Sequence, residues 1–337
     1  MRIWLVILGA CLVGADVAAQ QPNPPTSKFL RLNLRFNGFR AMALGRVATP
    51  NISYPLLAQR LNYPWNNQFR GLPVTGPVPI VPVRPWSPTN LLAGITYSTN
   101  RAVLPDTLRV LFLGNSLTSG HDMPGVLTRM SQRGKQKIAA TTRAVGGYTL
   151  AGHFADIQSR SNINHTIPDF SNATNRFTWH VVILQEQSQL PVYNPQTMIT
   201  SVTNLNAAIK TAQSNTALFL PQSRPDPVFT QGLFLDRAEG AYSLAAQAVN
   251  CPVVPVGRAW QICESRHPRI QLRERDGYHP SPYGAYLTAC MFYAYLTWQS
   301  PLGLSNGGLH QVNDRDAEIL QRLAWEVFAS RRAGIPF

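Results

Sequence analysis

In the segment Gly114-Asn115-Ser116-Leu117 a serine directly follows the apolar run Arg109–Leu113, where a strand would turn into a helix. A serine at such a turn can aim its hydroxyl and its backbone N–H at a ligand, or simply cap the helix. Much later, Asp276-Gly277-Tyr278-His279-Pro280-Ser281 places a carboxylate and an imidazole three residues apart on a tight loop. An acid at that spacing can fix the ring's tautomer and stabilise the imidazolium that forms during proton transfer. Taken alone, the same segment could be a loop that opens a helix, since proline suits a helix's first turn. Combined, Ser116, His279 and Asp276 are the parts of nucleophilic acyl transfer: a nucleophile, a base and the base's orienting group.

These residues need a scaffold that brings positions 116 and 279 together. From Leu108 onward, short β-branched runs alternate with helical patterns, as in parallel strands joined by crossover helices. Strands are predicted at 109–113, 137–144, 181–185, 217–220 and 253–256, and helices near 124–133, 150–159, 195–213, 232–249, 282–299 and 314–330. In the last helix Ile319, Leu320, Leu323, Ala324, Val327 and Phe328 share one face, which predicts core packing. The expected fold class is α/β, a three-layer α/β/α flavodoxin-like sandwich with a mainly parallel sheet. Ligand groups in such sheets lie beyond the carboxyl ends of the strands. That rule directs attention to the residues immediately after each strand, Ser116 after the first and Gln185 at the end of the third.

In order and spacing these blocks resemble the SGNH hydrolases, the GDSL-like esterase and lipase superfamily. Gly114-Asn115-Ser116-Leu117 corresponds to the nucleophile block with Asn in place of Asp, Gly147 to the glycine after the second strand, and Asp276 to His279 to the final Asp-x-x-His. Leu184-Gln185-Glu186-Gln187-Ser188, Pro255-Val256-Gly257-Arg258-Ala259-Trp260 and His279-Pro280-Ser281 are similar to an uncharacterised bacterial branch related to carbohydrate acetylesterases. The superfamily's Gly-x-Asn-Asp is replaced here by Gln185 to Ser188. The resemblance implies a Ser116-His279-Asp276 triad and an oxyanion hole formed by the N–H groups of Ser116 and Gly147 with a side-chain amide. A glutamine amide donates as asparagine's does, with one methylene more of reach. Gln185 ends its strand and is the expected donor, whereas simple register selects Gln187. The implied activity is hydrolysis of small acyl esters, acetyl groups on a glycan among them, with no metal and no organic cofactor.

Glu186 is expected to make an ordinary ion pair or hydrogen bond, with Arg258 or Arg224 as partner. His121 follows the nucleophile turn closely enough to line the pocket, while His153, His165, His180, His267 and His310 have no acidic partner at a telling spacing; each is expected to be a surface or satisfied histidine.

The chain has 337 residues, 45% of them hydrophobic and 14% charged, enough to bury a large core and incompatible with a wholly disordered or fibrous protein. Its formal net charge of +14 is concentrated early: residues 20–105 hold nine Lys and Arg and no acid. Prolines recur through that stretch and exclude long helices and central strands, except at Leu30–Phe36, whose strict alternation predicts one half-buried strand. The expected organisation is a signal peptide over 1–19, a partly docked basic extension over 20–105, and a catalytic domain over 106–337. Met1-Arg2, an apolar Ile3–Val13 and Val17-Ala18-Ala19 follow the secretory pattern and predict an exported protein, periplasmic or secreted. Lipid attachment at Cys11 is the lesser reading. The apolar run is too short to span a bilayer and no later stretch is long enough. Cys251, Cys263 and Cys290 are odd in number and are read as buried thiols, with a Cys251–Cys263 pair as the alternative. A competing function is a non-catalytic binder that grips an anionic polymer through the extension. Nucleic acid is not expected, because the extension lacks the aromatic-basic pattern of such modules.

Overall fold

The computed structural model describes residues 105–159, 179–212 and 214–333, together with strands β1 (Ile3–Trp4) and β2 (Gly14–Ala15), which pair antiparallel. The chain divides into two units, Met1–Pro77 and Val78–Phe337, and the second contains every residue discussed below. The expectations for the rest of the signal peptide, the basic extension and Leu30–Phe36 fall outside the described residues.

Within the second unit the sheet is five-stranded and all parallel: β3 (Thr107–Gly114), β4 (Lys137–Ala144), β5 (Val181–Leu184), β6 (Asn215–Phe219) and β7 (Val253–Val254), in spatial order β4-β3-β5-β6-β7. Chain order runs outward from β3 in both directions, so the switch point lies at the end of β3, beside Ser116. Every residue of β5 and β6 is buried. Continuous burial is what a parallel strand covered on both faces requires.

The helices are α1 (Ser116–Ser119), α2 (Met123–Ser131), α3 (Leu150–Ser159), α4 (Leu190–Tyr193), α5 (Pro195–Thr211), α6 (Gln231–Val249), α7 (Val256–Arg266), α8 (Pro282–Thr297) and α9 (Asp314–Ala333). The three-layer α/β expectation therefore holds. Helix α8 is apolar all round, and every residue from Gly284 to Thr297 is buried. Phe292 on α8 meets Phe112 of β3 and Phe219 of β6 edge-on, with ring centroids 4.9 and 5.1 Å away, which seats the helix against the sheet.

One strand expectation is corrected. The run 253–256 is a strand only through Val254, because Pro255 cannot donate to a ladder and Val256 begins α7. The Gly257 N–H bonds Leu220 O at 3.0 Å, and a Cβ at Gly257 would lie 2.4 Å from Pro221 O. Only glycine lets the start of α7 approach the end of β6 so closely. The three cysteines of this unit are free thiols. No helix among the described residues is long and apolar enough to cross a membrane.

Candidate active site

The turn that carries Ser116, the candidate nucleophile, is built around Asn115. Its backbone is extended, and its Oδ1 accepts the Leu117 N–H at 3.1 Å, so Asn115 rather than the serine is the N-cap and Ser116 is the first residue of α1. Gln185 Oε1 accepts from the Asn115 N–H at 3.1 Å and from the Thr118 hydroxyl at 2.9 Å. A Cβ at Gly114 would lie 2.3 Å from Thr118 Oγ1 and 2.8 Å from Gln185 Oε1. The glycine of the motif thus makes room for the bonds that fix the turn.

The second loop closes on itself. The Glu274 N–H bonds His279 O, and the Gly277 N–H bonds Glu274 O, both at 2.9 Å, with Gly277 at φ +68°. Asp276 Oδ1 accepts the N–H groups of Tyr278 and His279 at 2.8 and 3.0 Å. Its Oδ2 lies 2.6 Å from His279 Nδ1, and His279 Nε2 lies 3.0 Å from Ser116 Oγ. The carboxylate can only accept, so the ring carries a proton on Nδ1, and in the neutral ring Nε2 is then the acceptor that faces the serine. Burial pushes the Asp276 carboxyl up. Hydrogen bonds from the His279 ring and the two N–H groups outweigh that and hold it below its ordinary value.

The loop after β4 forms a turn in which the Tyr148 N–H bonds Val145 O at 3.0 Å and Gly147 adopts φ +68°, the left-handed third position of a type II turn. Asn115 Nδ2 donates to Tyr148 O at 3.2 Å, tying this turn to the one that carries Ser116. Among the described residues the N–H groups of Ser116 and Gly147 have no acceptor.

The segment after β5 divides its tasks. The Gln185 carboxamide, besides holding Asn115 and Thr118, donates from Nε2 to Glu186 O. Gln187 Oε1 accepts the N–H groups of Gln189 and Leu190, and its Nε2 has no partner among the described residues. Tyr278 OH donates to Ser188 Oγ at 2.8 Å, and the Tyr278 ring lies 4.6 Å from the His279 ring. The Arg224 guanidinium lies over the Tyr278 ring, 4.9 Å from its centroid. Of the aromatics near the expected site, Trp260 is core and Tyr148 donates to Asp156.

Glu186 corrects an expectation: neither Arg258 nor Arg224 pairs with it in an ion pair. Arg258 engages Asp236 and Glu239, while Glu186 Oε1 accepts the main-chain N–H groups of Leu150 and Gln187 at 3.0 and 2.7 Å. Its Oε2 is buried and has no partner among the described residues. Burial pushes the carboxyl from 4.5 up to about 7, against the two hydrogen bonds. Because the folded value lies above the unfolded one, the neutral acid is favoured by folding. Its contribution is full below about pH 4.5 and is lost as pH rises through 7, by on the order of 3 kcal/mol. Glu186→Gln keeps an acceptor for both N–H groups and removes the titration. Thermal melts should therefore show the wild type losing ground to the variant between pH 4.5 and pH 8. A gap between them that stays constant with pH would show that the carboxyl does not titrate in this range.

His121, expected to be an ordinary histidine, places Nε2 2.8 Å from Glu274 Oε1. Sequence spacing could not reveal the pair, whose members stand 153 positions apart. Among the described residues no group of three His, Cys, Asp or Glu is arranged to hold a metal ion.

No protein-family model and no curated protein matches this sequence. Solved structures do. A DUF4886 family protein from Bacteroides uniformis is 17% identical over 67% of this chain and 96% of its own, with a TM-score of 0.56. A candidate SGNH hydrolase from Slackia heliotrinireducens is 25% identical over 54% of this chain and 95% of its own, with a TM-score of 0.45. An acetyl xylan esterase is 14% identical over 56% of this chain and 98% of its own, with a TM-score of 0.43. The chain, with its all-parallel five-stranded sheet, shares its α/β fold with the DUF4886 family protein.

Proposed function

We propose that this protein is a serine ester hydrolase with Ser116 as nucleophile, His279 as general base and Asp276 as the acid that orients the base. The observation that carries the reading is the unbroken hydrogen-bond line Asp276 Oδ2, His279 Nδ1, His279 Nε2, Ser116 Oγ, at 2.6 and 3.0 Å. His279 Nε2 takes the hydroxyl proton as Ser116 Oγ forms a bond to the ester carbonyl carbon. The resulting oxyanion is held by the Ser116 and Gly147 N–H groups, which no described residue occupies. The protonated His279 then gives its proton to the departing alkoxide oxygen, and the acyl group stays on Ser116. In the second half His279 takes a proton from water, the water oxygen attacks the acyl carbon, and Ser116 leaves as the free hydroxyl.

Gln187 is the side-chain member of the oxyanion hole in this reading. Its Nε2 is uncommitted, while Gln185 is engaged in holding the nucleophile turn. Gln187→Ala should lower kcat by about 10²- to 10³-fold, the usual loss of one such donor. Gln185→Ala strands two buried donors, at about 1–3 kcal/mol each, and should act through a lowered melting temperature. Steady-state kinetics beside melting curves separate the two, and a kcat loss confined to Gln185→Ala in a folded protein would return the role to Gln185.

The substrate in this proposal is a small acyl ester, with acetyl esters of a glycan first because the Gln185 to Ser188 segment resembles that of carbohydrate acetylesterases. Export, read from the first 19 residues, suits an extracellular polymer. A fluorophosphonate probe should label the protein on the peptide containing Ser116. Absence of label on folded protein would overturn the assignment.

A further inference from the structure

The nucleophile turn and the triad loop come from opposite ends of the domain, so the Ser116–His279 distance depends on what joins them. Three features meet at that junction. Immediately after α1, His121 and Asp122 both lie in the left-handed region, at φ 49°, ψ 33° and φ 52°, ψ 43°. Two consecutive non-glycine residues there are strained and persist only where their surroundings hold them. The strained pair is held at both ends: His121 Nε2 reaches Glu274 Oε1 at 2.8 Å, and Asp122 Oδ2 accepts from Arg129 Nη1 at 2.9 Å. Glu274 is also the residue whose backbone closes the triad loop, through the Glu274 N–H to His279 O and the Gly277 N–H to Glu274 O. Beside this contact Gly120 is pressed on Pro280, where a Cβ would come within 2.4 Å of the ring.

We propose that His121 and Glu274 form a positioning clasp that sets the Ser116–His279 distance, by joining the segment after the nucleophile to the residue that closes the triad loop. The proposal rests on the esterase reading. Both side chains are partly exposed, at 33% and 43%. Such a pair adds little to folding, so the strain at His121 is not repaid as stability. What the left-handed backbone does is deliver the ring to Glu274. The clasp is a positioning device and touches no substrate.

The test is the rate at which a fluorophosphonate inactivates the full-length protein through Ser116. His121→Gly and Glu274→Ala should each slow inactivation about tenfold, as a modest misplacement of a base does, and the double variant should be no slower than either alone. Glu274→Gln, whose amide oxygen still accepts from Nε2–H, should recover most of the rate. His121→Gly should melt no lower than the wild type, since glycine adopts the left-handed region freely. Single variants that react within about twofold of the wild type, or effects that multiply in the double variant, would overturn the clasp and leave the esterase reading intact. A wild type that is not labelled at Ser116 would overturn both.

Discussion

Ser116→Ala should abolish turnover of a short-chain aryl ester, with kcat falling at least about a thousandfold, and His279→Ala should fall as far. In the proposed mechanism Ser116 Oγ supplies the bond to the acyl carbon, and its one hydrogen bond among the described residues is to His279. Losing it therefore removes the chemistry while leaving the fold: the melting temperature should move little. Members of a coupled set are not additive, so the double variant should be about as slow as either single one. The activity left in each variant measures what the proposed oxyanion donors, the Ser116 and Gly147 N–H groups and the Gln187 amide, contribute together with binding. Wild-type turnover by either folded variant would remove that residue from the mechanism.

Asp276→Asn should cost about 10⁴ in kcat with KM nearly unchanged. The substitution preserves shape, and an amide oxygen at the Oδ1 position would still accept the N–H groups of Tyr278 and His279. The amide nitrogen then faces His279 Nδ1 as a donor, which forces the ring proton onto Nε2 and points an N–H at the serine. Asp276→Ala should lose the loop's internal bonds as well and melt lower than the asparagine variant. The depressed Asp276 pKa adds a pH expectation. Its stabilising contribution is present above the ordinary aspartate range and is lost only as pH falls through the lower folded value. Activity that declines at pH 5 or 6 is thus not due to protonation of Asp276. A loss below tenfold in the asparagine variant at neutral pH would show that the carboxylate does not set the tautomer.

The parts of this protein that were legible in its sequence are those whose geometry is local. Lys137–Ala144 and Leu150–Ser159 were both expected as elements, and both have those bounds in the structure. Asp276 and His279 share one closed loop, so their spacing of three residues already implied their contact. Helix α7 was hidden because Pro255 and Gly257 resemble breakers. The proline precedes the first helical residue, and the glycine answers a contact with Pro221 O that no local pattern encodes. The division of labour between Gln185 and Gln187 was illegible for a related reason. Two glutamines two positions apart differ only in what lies opposite them, Asn115 and Thr118 in one case and the next turn of their own chain in the other. Glu186 pairs with backbone N–H groups, which have no residue-type signature at all.

Helix α8 begins three residues after His279, and its burial bears on how the base moves. The main chain joins them through Pro280, which is buried and bridges to Arg273, and Ser281, whose N–H and hydroxyl both bond the segment at Gln271 and Leu272. A helix buried on all sides has amides that exchange with deuterium only when the whole domain opens. A short loop with a partly exposed face exchanges through small local excursions. His279 stands at the boundary between these two regimes. The anchor of the proposed base should therefore be as long-lived as the folded domain, and local excursions should be confined to the six residues Glu274–His279.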